Sequence, residues 1–158
     1  MKHFFISSTL GLLLAISATC SLADEAVAAR AILGGTPFAN TNYGVNVVNG
    51  LAILASTDGG GSTNVIVQMT GLKPGTTHIG HIHAGVCPQL FPGTILYTLT
   101  PVTANASGEG TSQTQIYTGM QGLADCSWWV AVHEGPENAS PQTPAVAVGP
   151  VIFHGASR

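Results

Sequence analysis

This 158-residue chain predicts an all-β fold, an antiparallel Greek-key β-sandwich, on three observations. Charged residues make up only 7%, against about 25% in an average globular domain, so little material exists for exposed helix faces. Twenty glycines and nine prolines break the chain at short intervals. Between the breaks lie roughly seven or eight short runs rich in Val, Ile, Thr and aromatic residues, the spacing of a sandwich. The length suits one domain with a real core, and no internal repeat or domain boundary is visible.

The first segment reads as a targeting sequence. Met1-Lys2-His3 is a short positive start, Phe4 to Ala18 is mostly apolar, and Ser21-Leu22-Ala23 places small residues at a signal peptidase site. The expectation is a signal peptide over residues 1–23 and a mature chain from Asp24, exported to the periplasm or outside the cell. The apolar run is short for a bilayer span and no second one follows. Lipidation at Cys20 is disfavoured, because Thr19 is larger than the residue that normally precedes a lipidated cysteine.

In chain order, residues 24–44 form either an N-terminal arm or a first strand near Val27–Leu33, and residues 45–158 form the sandwich domain. Val47–Ala55 reads as a strand with Gly50 marking a bulge. Asp58-Gly59-Gly60-Gly61 turns the chain into the strand Asn64–Met69, completing a hairpin. Lys73-Pro74-Gly75 is turn chemistry, and Thr77–His83 follows as a strand carrying three of the six histidines. Residues 84–93 are an irregular loop before the strand Thr94–Thr100. Asn105–Gly110 is a turn, and Ser112–Tyr117 alternates as a strand. Thr118–Asp125 connects it, with room for one helical turn, to the strand Ser127–His133. A polar loop from Glu134 to Pro144 leads into the last strand, Ala145–Phe153.

With net charge −3 from eleven charged side chains, the chain offers no basic patch for nucleic acid and no polybasic membrane anchor. Once the signal is removed, Cys87 and Cys126 remain as an even pair, and an oxidising compartment favours their disulfide. Closing that loop of roughly 40 residues is worth about 4 kcal/mol in the chain-entropy model. No Ser-His-Asp or Cys-His nucleophile set is apparent.

His81 and His83 sit two apart, so a strand sends both to one face, where they can share a borderline metal ion such as copper or zinc. The competing reading is a pair hydrogen-bonded to loop backbone. By parity His78 falls on the opposite face, reachable only across a bulge, and His154 lies near the C-terminus; both are spare candidates. Trp128 and Trp129 alternate, predicting one in the core and one on an outer surface. Glu134 is either an acceptor for an imidazole or a solvated loop carboxylate. Asn105-Ala106-Ser107 and Asn138-Ala139-Ser140 fit the glycosylation sequon.

MTGLKPGTTHIGHIHAGVC, from Met69 to Cys87, resembles the copper/zinc superoxide dismutase pattern of a GL-x-PG turn, H-x-H and a cysteine. Val130–Glu134 (VAVHE) resembles that family's late copper-ligand strand, and Ala147–Val151 its last strand, in the same order. The resemblance implies a dismutase/immunoglobulin-like sandwich with His81, His83 and His133 as ligands of one copper ion and superoxide as a possible partner. It also has gaps. Residues 84–126 contain no histidine and only one aspartate, Asp125, so no zinc is expected. The guiding arginine would fall near Ala145, and the second disulfide cysteine near Val148, a role Cys126 would take instead. HIHAG at 81–85 is similar as well to the CHRD-like domains of exported bacterial proteins. The resemblance therefore implies copper binding with dismutation or copper handling, or else a non-catalytic extracellular interaction module.

Overall fold

The computed structural model describes residues 28–36, 48–57, 61–85, 93–120, 123–135 and 144–154. These contain nine strands: β1 (Ala28–Gly35), β2 (Asn49–Thr57), β3 (Ser62–Thr70), β4 (Thr77–Ala84), β5 (Ile95–Thr103), β6 (Gly110–Ile116), β7 (Trp128–His133), β8 (Ala145–Pro150) and β9 (Ile152–His154). There is no helix among the described residues, hence none long and apolar enough to cross a membrane. The strands run in the order β5-β4-β7-β8-β1-β2-β3-β6, every neighbouring pair antiparallel, with β9 beside β1. The two ends of this ladder approach one another: the Thr100 backbone N–H donates to Thr114 Oγ1 at 2.7 Å, bringing β5 against β6. The all-β antiparallel sandwich expected from composition is thus the fold observed, curled nearly into a barrel.

Period-two alternation explains most of it. In β1, Ala29, Ala31 and Leu33 point inward while Ala28, Arg30 and Ile32 point out; in β3, Val65, Val67 and Met69 are the buried set. These meet Leu54, Ile82, Leu99, Val130, Val132 and Val146 in one apolar core. Burial of such side chains is worth roughly 1.5–3 kcal/mol each and drives the closure.

Four details depart from the periodic reading. Ala28–Gly35 is a strand in the middle of the ladder, so the sandwich takes in residues before Val45. The last strand is two, since Val151 turns its N–H to Trp128 O (2.9 Å) and the chain resumes against β1. β5 continues through Pro101 to Thr103. Leu99 pairs with Gly80 but Val102 with His78, so the proline lies in a bulge, where its missing N–H disrupts no ladder bond. Residues 118–120 and 123–124 are irregular, not helical. Residues 1–27, Cys87, Asn138 and the side chain of His154 lie outside the described set, and with them the signal peptide, Cys20, one cysteine of the expected pair and one spare histidine.

Candidate metal centre

β4 and β7 are neighbours, and both are buried on both faces. One face of each, Ile82 on β4 and Trp128, Val130 and Val132 on β7, belongs to the core. The other face carries the polar set. His81 pairs with Ala131 and His83 with Trp129, and alternation along β7 puts His133 on the same face as Ala131 and Trp129, diagonal to His81. Ala131, Ala145, Trp129 and Val148 make this second face apolar beneath the histidines.

His81, His83 and His133 converge there, each only 7% exposed, with one ring nitrogen from each lying within 4.8 Å of the others. Ring centroids are 5.7 Å apart for His81–His83, 5.0 Å for His81–His133 and 6.0 Å for His83–His133. Three nitrogens bound at about 2.0 Å to one ion stand about 3.5 Å apart. The remaining closure is on the order of an ångström and within reach of side-chain rotation. His81 Nδ1 and His83 Nε2 are buried with no hydrogen-bond partner, and His133 Nε2 is buried with them. Two orphaned imidazole nitrogens facing a third histidine in an apolar setting is an arrangement that a metal ion would satisfy. The trio could hold one metal ion.

Protonation favours the same use. Burial, followed by the proximity of His133 and His83, lowers the pKa of His81 from 6.5 to about 4. Burial also lowers that of His83, partly opposed by its bond to Gly93 O and reinforced by His133. Both are neutral at pH 7, the form that binds metal. In His83, Nδ1 lies 3.0 Å from Gly93 O; a carbonyl only accepts, so Nδ1 carries the proton and Nε2 keeps its lone pair for a ligand.

His78 stands apart from the trio. It is fully buried, and its Nδ1–H donates to His133 O at 2.9 Å, tying β4 to the backbone of a candidate ligand. Its Nε2 lies 2.7 Å from Thr76 Oγ1. Burial lowers its pKa, while the carbonyl bond and the nearby Glu134 charge act the other way. Trp129 is not on an outer surface: it is 1% exposed and stacks on His83, with centroids 4.1 Å apart and planes 13° apart. Trp128 fills the core beside Tyr97 and Phe153. Residue types and spacing point to the histidines, but not to Gly93, which acts through its backbone, nor to the Trp129 stack, which requires the β4–β7 register.

No family model matches the chain. Part of it is 34% identical over 77 residues to macromomycin from Streptomyces macromomyceticus, which covers 47% of this chain and 51% of that protein. The chain thus spans about half the length of the curated relative it matches.

Proposed function

We propose that this protein is an exported, dismutase-like β-sandwich domain that holds one copper ion at His81, His83 and His133. The observation that carries the reading is the convergence of three buried imidazoles within 4.8 Å on two adjacent strands. An all-imidazole donor set suits copper, and the resemblance of the H-x-H strand and VAVHE to the dismutase pattern supports the same ion. Copper bound there supplies one-electron redox chemistry of the kind superoxide dismutation uses. The chain's own residues present neutral nitrogens, fix the His83 tautomer through Gly93 and keep the donors dry. With no histidine in residues 84–126 to build a zinc site and Ala145 where the guiding arginine would fall, holding or delivering copper is the weaker demand on this site, and dismutation the stronger. In the oxidising compartment such export implies, Cys126 would pair with Cys87.

Calorimetric titration of the purified protein with Cu(I) and Cu(II), alongside a dismutase assay, tests the reading. Binding tighter than about micromolar, abolished by His83→Ala, is expected. Binding without turnover assigns the site to copper handling. No such binding, or binding indifferent to His83→Ala, overturns the metal site and leaves a CHRD-like interaction module.

A further inference from the structure

We propose that Trp129 is a positioning residue of the metal site, its indole fixing the plane of the His83 ring so that Nε2 stays directed at His81 and His133. The inference rests on the site proposed above.

The stack is close and nearly parallel, 4.1 Å between centroids and 13° between planes. It follows from register, since His83 and Trp129 are direct partners across the β4–β7 ladder. The indole is itself anchored: its Nε1–H donates to the carbonyl of Ala84, the residue after His83, at 3.1 Å. Gly85 and Gly93 crowd it from the adjoining chain; a Cβ on Gly93 would lie 2.8 Å from Trp129 Nε1. Gly93 O also takes the His83 Nδ1–H. The imidazole is therefore held at one edge by a hydrogen bond and over one face by a ring. Rotation about χ2, otherwise broad and soft for histidine, would drive it into the indole. A donor ordered before the ion arrives loses less freedom on binding. If Trp129 merely filled space above Ala131, its loss would lower stability and leave the affinity of folded molecules unchanged.

The test compares wild type, Trp129→Phe and Trp129→Leu. Cu(I) affinity is measured by competition with a chromophoric chelator, the Cu(II) form by electron paramagnetic resonance, and folding by circular dichroism. Trp129→Phe keeps a stacking ring and should bind within about threefold of wild type, whereas Trp129→Leu should bind about 10–100-fold more weakly and give a broadened spectrum. A folded Trp129→Leu protein with wild-type affinity and spectrum overturns the proposal. Should that variant not fold, wild type decides. One equivalent of Cu(I) should shift the indole N–H resonance of Trp129 together with the ring protons of His83. An unmoved indole alongside calorimetrically proven binding overturns the positioning role alone. A wild-type protein that binds no copper overturns the site itself.

Discussion

Acidification should destabilise the metal-free protein through His81, and the size of the effect follows from its surroundings. Its pKa is 6.5 in an unfolded chain and about 4 in the fold, where burial and the neighbouring His133 and His83 oppose a positive charge. Below pH 6.5 the unfolded state therefore binds a proton that the folded state refuses. Stability from this group is complete above 6.5 and falls as pH drops towards 4. Between about pH 7.5 and about pH 4.5 the loss comes to about 2–3 kcal/mol. Urea denaturation of wild type and His81→Gln, metal-free and without reductant, isolates it from the carboxylates that titrate in both. Wild type should lose about 2–3 kcal/mol more than the variant over that range. Proton NMR should place the His81 Cε1–H midpoint near 4. Parallel pH profiles, or a midpoint near 6.5, would refute the reasoning. A corollary is that metal uptake at neutral pH releases no proton from His81.

Three other substitutions probe the supports of the site and fold. His78→Leu leaves the carbonyl of His133 buried without its donor and should cost about 1–3 kcal/mol in urea denaturation. Gly85→Ala places a Cβ against the Trp129 ring and should cost about 1–3 kcal/mol, read as a lowered Tm together with a changed near-ultraviolet tryptophan signal. Asn105→Ala removes the Oδ1 that accepts the Ser107 and Glu109 N–H groups at 2.8 and 3.0 Å, and about 1 kcal/mol of stability should go with it, with copper affinity unchanged.

Composition and period-two patterning carried the all-β architecture, because alternation such as Val65, Val67, Met69 has one physical meaning when one face is buried. Parity correctly put His81 and His83 on one face of β4 and His78 elsewhere. Patterning fails where both faces are covered. β7 is buried at all six positions, so alternation could divide its tryptophans between two faces but not tell that the second face was also enclosed. Strand pairing is non-local, and only the β4–β7 register reveals that His83 meets Trp129. Backbone contributions such as Gly93 O leave no mark on residue type. Of the two readings of residues 24–44, the strand near Val27–Leu33 is the one found; Ala28, Ala29, Ala31, Gly34 and Gly35 have weak strand propensity, so its place in the ladder is decided by partners on both sides.

The three histidines divide unequally along the chain: two lie on β4 and the third 50 residues later on β7. An unfolded chain can therefore offer an ion a local pair but not the full set, which exists only after these strands have zipped together. Occupancy and folding then become one equilibrium: an ion at a hundred times its dissociation constant would add about 2.7 kcal/mol to the native state. Withdrawing copper with a chelator would accordingly be felt as a lower melting temperature throughout the sandwich, and a core mutation far from β4 would weaken the apparent grip on the ion whenever it leaves a sizeable unfolded fraction.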